Sequence, residues 1–329
     1  MRGRATAAVV LALSLGLMGC SASGANVKPD IQSTVRPGVA PTPPPRGAYF
    51  GAWVNPSQAT FTQEGRIQSV LDFEKSIGRE LDIVHTYRTW DQPFPRAADN
   101  AVLNSNRYLM LSWNGTDTKL INSGSEDRII RERARAIKAT RKPIFLRWQW
   151  EMERPNARQK IHSPADYIAA WKRIRAIFRQ LGVDNVAWVW CPTAKGFSSN
   201  AGDYYPGDDQ VDWVCADVYP GHEYEYRNLS EAIRPFLDWA KAHPRPVMVG
   251  EFGVPRSYGV RRAEWLREAA ETLQNPQIKA VLYFDSDMAG KGADDKTQFS
   301  LEGDQNAMSA MRELATLPYF NPRNVPVRS

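Results

Sequence analysis

Eight short apolar segments, each of strand length, recur along this chain with longer amphipathic stretches between them, and that alternation restricts the fold more than any other feature. The segments are Tyr49 to Val54, Leu81 to Trp90, Arg107 to Asn114, Pro143 to Glu151, Asn185 to Thr193, Asp212 to Pro220, Pro246 to Gly253 and Ala280 to Asp287. Helical patterns lie between them at Glu126 to Thr140, Pro164 to Leu181, Ser230 to Ala242 and Ala263 to Leu273. Strands that read as nearly continuous apolar runs are those buried on both faces of a parallel sheet. Count, order and a span of about 280 residues predict an α/β fold, a single-domain (β/α)8 TIM barrel over residues 47–329, with a doubly wound open sheet as the alternative. No second domain and no internal repeat is evident.

A hydrophobic content of 43% supplies a sizeable core. The formal charge of +6, from 42 Lys and Arg against 36 Asp and Glu, is scattered without a long basic run, so nucleic acid is not expected as a partner. His85, His162, His222 and His243 are far apart, and neither C-x-x-C nor H-E-x-x-H spacing occurs, so no built-in metal site is expected. The chain also lacks a Walker-type loop, G-x-G-x-x-G and G-x-S-x-G.

At the N-terminus, Arg2 and Arg4 precede an apolar run from Ala5 to Gly19 that has the length of a secretory signal core and is too short to span a bilayer. Residues 1–19 read as a lipoprotein signal peptide, because Leu17-Met18-Gly19-Cys20 resembles a bacterial lipobox whose Cys20 becomes lipidated; a plain cleaved signal or an uncleaved anchor are the alternatives. Each places the body outside the cytoplasm, with membrane contact only through the N-terminal anchor. Residues 20–46, with six Pro between Ser21 and Arg46 and few large apolar side chains, read as a tether.

A barrel of this kind carries its site where strands end and βα loops begin. Two strands deliver a Glu there: strand four as Arg147-Trp148-Gln149-Trp150-Glu151-Met152, and strand seven as Val249-Gly250-Glu251-Phe252-Gly253. Two carboxyls across a sugar-sized gap are what glycosidic bond cleavage requires, one to protonate the departing oxygen and one to attack the anomeric carbon. Side-chain alternation groups Arg147, Gln149 and Glu151 on one face of strand four and Val247, Val249 and Glu251 on one face of strand seven. Arg147 is then placed to keep Glu251 ionised, while Trp148 or Trp150 beside Glu151 would raise its pKa. Strand six adds Asp217, a candidate partner for a sugar hydroxyl, and Tyr219, a candidate partner for Glu251.

Five tryptophans, Trp53, Trp90, Trp113, Trp150 and Trp190, fall near predicted strand ends, where flat rings stack on sugar faces. Trp171, Trp239 and Trp265 lie in helical patterns and read as core. Cys191 and Cys215 sit on consecutive strands and are expected as buried free thiols, since neighbouring parallel strands seldom offer disulfide geometry.

These residues resemble glycoside hydrolase family 26, the β-mannanase family of the retaining (β/α)8 clan. The likeness runs from about Ala48 through Asp287 and is carried by Asp82 to Trp90, Ile121 to Asp127, Phe145 to Met152, Asp212 to Pro220 and Val247 to Gly253. Of the family's strand-four pattern Arg-x-x-His-Glu-Met, Arg147, Glu151 and Met152 match, and Trp150 stands in place of the His. The resemblance implies Glu151 as acid/base, Glu251 as nucleophile, Tyr219 as the nucleophile's partner and no cofactor. It implies a retaining endo-β-glycosidase on β-mannan, mixed-linkage β-glucan, β-1,3-xylan or another β-glycan. A monomer is expected. Two alternatives keep the same barrel: a non-catalytic carbohydrate-binding lipoprotein, motivated by the missing His, and a transglycosylase of envelope polysaccharide.

Overall fold

In the computed structural model, the residues described are Met1, 35–55, 62–287 and 294–328. The predicted signal segment after Met1, and residues 20–34 of the predicted tether with Cys20, lie outside them. All the secondary structure described belongs to the compact unit Ile31–Ser329.

That unit is a closed eight-stranded parallel barrel in which each strand pairs with its sequence neighbours and β8 returns to β1. The strands are β1 Tyr49–Asn55, β2 Ile83–Arg88, β3 Tyr108–Trp113, β4 Ile144–Trp148, β5 Val186–Trp190, β6 Trp213–Val218, β7 Val247–Phe252 and β8 Ile278–Ser286. Every strand falls on one of the eight predicted segments. Around them run α1 Gln63–Ile77, α2 Ala97–Leu103, α3 Thr118–Ser123, α4 Asp127–Thr140, α5 Arg158–Ile161, α6 Pro164–Gln180, α7 Leu229–Ala240, α8 Arg262–Leu273 and α9 Gln305–Thr316. Helix α6 shows why such segments fold: the Ser163 side chain caps its first turn by accepting from the Asp166 N–H, and Pro164 opens it. Tyr167, Ala170, Trp171, Ile174, Ile177 and Phe178 then recur at helical spacing and are buried. Among the described residues no helix is long and apolar enough to cross a membrane.

Side chains alternate along each strand between two packed layers. Tyr49, Ile83, Tyr108, Met110, Phe145, Val189, Trp213 and Met248 fill the barrel interior as one cluster. Their neighbours in sequence, such as Phe50, Leu109, Leu146, Trp188, Val214 and Val249, pack outward with the helices in a second. The parity of a residue on its strand therefore decides whether it can reach the barrel mouth.

The end of the predicted tether behaves differently from expectation. Residues 35–46 pack on the barrel, with Val35 and Ala40 against the interior cluster. The Pro41 carbonyl accepts from Trp213 Nε1 at 3.4 Å and the Thr42 carbonyl from the Tyr49 hydroxyl at 3.1 Å. Proline lacks an N–H but keeps its carbonyl, so a Pro-rich strap covers a core largely by accepting, and here the Gly38 N–H adds one donated bond, to the Arg141 carbonyl at 2.8 Å. A chain beginning at Gly47 is expected to melt about 5 °C below one beginning at Val35, since it loses three hydrogen bonds and apolar cover worth ~2 kcal/mol; differential scanning calorimetry of the two chains checks this.

Candidate active site

At the C-terminal ends of the strands lies a cavity of about 1000 Å³. Glu151 and Glu251 both line it, together with Trp53, Tyr87, Trp150, Asp217, Tyr219, Phe284 and Phe299. Its floor is a polar layer above the apolar barrel interior, centred on Arg147. This guanidinium is fully buried and donates through Nη1 to both Asp217 oxygens, at 2.7 and 2.9 Å, through Nη2 to Glu251 Oε1, and through Nε to Ser112 Oγ at 2.6 Å. Burial disfavours the Arg147 cation, but Asp217 and Glu251 outweigh it and hold the charge in place.

Glu251 collects two more donors, the Tyr87 hydroxyl at 2.6 Å on Oε1 and the Tyr219 hydroxyl at 2.9 Å on Oε2. Burial and the charge of Glu251 push both phenols well above the usual tyrosine range, so both remain protonated donors. An ionised carboxylate only accepts, and all three of these neighbours donate. Beside Arg147, burial and then the guanidinium hold His85 well below its ordinary pKa, so its ring is neutral. His85 Nε2 lies 2.6 Å from Ser112 Oγ and 3.3 Å from Arg147 Nη2, which has only protons to offer, while Nδ1 is buried without a hydrogen-bond partner among the described residues.

Strand alternation alone does not place Glu251 here. Val247 and Val249 face the helices, and a strict period of two would turn Glu251 outward with them. The β6–β7 register instead shifts after Ala216, which pairs with Val249, so that Asp217 pairs with Glu251 and Gly250 is skipped. That irregularity swings Glu251 inward to the level of Asp217 and Arg147. A Cβ on Gly250 would lie 2.5 Å from Cys215 Sγ and 2.9 Å from Asp217 Oδ1, so only glycine fits the close approach. The expected common face of Val247, Val249 and Glu251 is thus corrected by a bulge.

Glu151 reaches the cavity by another route. Strand β4 ends at Trp148, and Gln149 and Glu151 follow with φ of 43° and 52°, a left-handed conformation that costs a non-glycine residue about 1 kcal/mol or more. Gln149 Oε1 accepts from the Gly115 N–H at 2.8 Å, and the Glu151 N–H donates to the Cys191 carbonyl at 2.8 Å. Burial pushes the Glu151 carboxyl up, the negative charge of Glu251 adds to this, and Arg154, donating to Glu151 Oε2 at 2.6 Å, opposes both. The two carboxyls thus sit in opposite settings: Glu251 accepts from three buried or half-buried internal donors, whereas Glu151 meets one half-exposed arginine. The upward push on Glu151 comes from burial and Glu251.

The turn through Gln149 also brings Trp150 into the cavity, where its ring lies 4.9 Å from the Arg147 guanidinium and 5.2 Å from Tyr87. Trp53, at an inward position of β1, meets Tyr87 edge-on at 4.8 Å. Trp90, Trp113 and Trp190 do not line the cavity. Trp90 and Trp113 stack on each other 4.3 Å apart in the outer layer, and Trp190 packs there with Tyr205 and Trp239. All three belong to the outer layer, so their expected role as sugar platforms is corrected. Asp217, expected to meet a sugar hydroxyl, has a fully buried side chain committed to Arg147 on the cavity floor.

Cys191 and Cys215 are joined by a disulfide, not left as free thiols. The β5–β6 ladder runs Val189 with Trp213 and Trp190 with Val214, so the cysteines come next and face each other with Cα atoms 4.3 Å apart. With Asp217 they form the one trio of metal-ligand type among the described residues, but the sulfurs are bonded to each other and Asp217 to Arg147.

Sequence reading overlooked His85, Tyr87, Ser112, Glu153 and Arg154. The first three share the inward parity of Ile83, Tyr108 and Met110, which is the signal that could have found them. Arg154 follows Glu151 by three residues in an irregular loop, where no periodicity points at it.

Residues 49–243 match the model of glycosyl hydrolase family 26. The chain belongs to that family. Within it, the chain is 28% identical over 297 residues to endoglucanase H of Acetivibrio thermocellus, covering 84% of this chain and 31% of that protein. It is 26% identical to a β-1,3-xylanase of a Vibrio species over 60% of this chain and 45% of that one. The chain therefore spans less than half the length of these curated relatives. Among solved structures, a family 26 endo-β-1,4-mannanase catalytic domain from Bacillus sp. JAMB-750 superposes with a TM-score of 0.60 at 15% identity, covering 83% of this chain and 87% of that one. A family 26 β-mannanase from Bacteroides ovatus gives 0.59 at 15%, covering 84% and 90%. At such identities these structures support the barrel fold alone.

With the disulfide formed, a chain starting at Val35, which lacks Cys20, is expected to take up no iodoacetamide in non-reducing denaturant and two equivalents after reduction, read by intact mass.

Proposed function

We propose that this family 26 protein is an endo-acting β-glycosidase that cleaves a β-linked polysaccharide with retention of anomeric configuration, Glu251 acting as nucleophile and Glu151 as acid/base. The observation that carries the reading is the placement of two carboxyls with different hydrogen-bond partners on one cavity at the barrel mouth. Burial and Glu251 raise the Glu151 pKa, which keeps a proton ready for the glycosidic oxygen. Arg147 and Tyr87 bind Glu251 Oε1, while Oε2 has the Tyr219 hydroxyl as partner and keeps the freer lone pair for attack. In the first step Oε2 bonds to the anomeric carbon as Glu151 protonates the leaving oxygen. In the second, Glu151 takes a proton from water, which displaces Glu251 and restores the starting configuration.

The substrate class follows from the cavity and the relatives together: endoglucanase, β-1,3-xylanase and mannanase all cleave backbones of β-linked sugars, and Trp53 and Trp150 offer rings to such a chain. Trp150 replaces a hydrogen-bonding His with a flat apolar face, which favours β-glycans other than plain mannan. The sequence reading adds export and lipidation at Cys20, which would hold the catalytic domain at the outer surface of the cell membrane.

A panel of β-mannan, mixed-linkage β-glucan and β-1,3-xylan is expected to reveal a substrate on which Glu251→Ala and Glu151→Gln each lower kcat by about a hundredfold or more, with the product's configuration retained by proton NMR. Activity surviving in Glu251→Ala overturns the nucleophile. The Arg154 cation favours the ionised form of Glu151, so Arg154→Ala raises the pKa of the acid and extends its protonated range. The alkaline limb of the kcat/KM profile is expected to move to higher pH, and an unmoved or lowered limb counts against Glu151 as the acid.

A further inference from the structure

We propose that Glu153 is a positioning residue for Glu151: its carboxylate clamps the loop after β4 to the turn after β5 and so fixes where the acid/base carboxyl sits. The inference rests on the reading of Glu151 as acid/base given above. Glu153 lies two residues beyond Glu151 and is 5% exposed on the wall of the same cavity. A carboxyl is costly to bury, burial pushes its pKa up and Oε2 has no partner among the described residues, so an apolar side chain would fill this place at less cost unless Oε1 were needed as an acceptor.

Its contacts show the use. Glu153 Oε1 accepts from the Thr193 N–H at 2.8 Å and from the Thr193 hydroxyl at 2.5 Å. The same hydroxyl oxygen accepts from the Gly196 N–H at 3.0 Å, which orients its proton toward Glu153. A Cβ on Gly196 would come within 2.6 Å of Glu153 Oε1, so the turn admits the carboxylate only because glycine stands there.

The geometry of Glu151 explains why a clamp is needed. Its backbone is left-handed at φ 52°, and a non-glycine residue there reverts to the ordinary regions unless its surroundings hold it. The Glu151 N–H to the Cys191 carbonyl gives one tie to the end of β5. Glu153 to Thr193 gives a second, on the far side of Met152. Two ties bracket the catalytic carboxyl; past them Arg154, Pro155 and Asn156 are exposed.

The test compares Glu153→Ala and Glu153→Gln in the whole chain, using the polysaccharide that the enzyme cleaves and a dinitrophenyl glycoside of the matching oligosaccharide. The phenolate leaves without protonation, so this second substrate reports folding and the nucleophile but not the acid. Glu153→Ala is expected to lose about tenfold or more in kcat/KM on the polysaccharide and to stay within about twofold of the parent in the glycosylation step of the aryl glycoside. Glu153→Gln keeps an acceptor for Thr193 and is expected to restore most of the lost activity. Equal losses on both substrates, no loss in Glu153→Ala, or a Gln variant as impaired as Ala each overturn the proposal. Glu151→Gln measured alongside separates the two readings. If it also lacks leaving-group dependence, the acid assignment falls and the clamp with it; if only Glu153→Ala lacks it, the clamp alone falls.

Discussion

One buried guanidinium organises the mouth of this barrel. Arg147 is sealed from solvent yet carries a charge, and the barrel tolerates it only because Asp217 and Glu251 face it from β6 and β7 and Ser112 from β3. Removing Arg147 would leave two carboxyls facing each other without a cation in a medium that screens poorly, so both acids depend on it. The same network makes the ring of His85 neutral and leaves Tyr87 and Tyr219 as hydrogen-bond donors. Charge balance and chemical readiness are therefore one property of this layer.

Glu151 stands outside that balance. It hangs from a strained loop, away from Arg147, with a half-exposed arginine for a partner. Two glutamates of identical chemistry are made unlike by what surrounds them, and the difference originates in backbone. Glu251 is held on a strand, inside a bulge that faces it toward the buried arginine. Glu151 lies past the end of its strand, where the chain has turned out of the ladder.

Much of the fold was legible because burial on both faces leaves a mark in sequence. All eight strands appear as apolar runs, and helices such as α4 and α6 appear as amphipathic repeats that match the observed elements closely. The site was legible in part. Arg147, Glu151, Tyr219 and Glu251 could be named from their places at strand ends, and Trp53 and Trp150 also reach the cavity. Trp90, Trp113 and Trp190 were misplaced because proximity to a strand end was weighed and parity was not: Trp113 and Trp190 pair with strand positions that face outward, and Trp90 stacks on Trp113 beyond the end of β2. The cysteine pair was misjudged because its geometry depends on the exact β5–β6 register, which no single strand encodes.

By itself the sequence determined that this chain carries eight strand-length apolar segments with amphipathic stretches between them, and that two of those segments each end on a Glu. Both follow from local rules of burial and periodicity. Only the tertiary structure decided that Glu251 points inward, since counting residues along β7 turns it outward and a bulge against β6 reverses it. It also decided that Asp217 belongs to Arg147 and not to a ligand, and that residues 35–46 cover a core. Each of these outcomes depends on which groups from distant segments meet in space, where the cost of an unpaired charge or an uncovered apolar face is settled between strands and not along them.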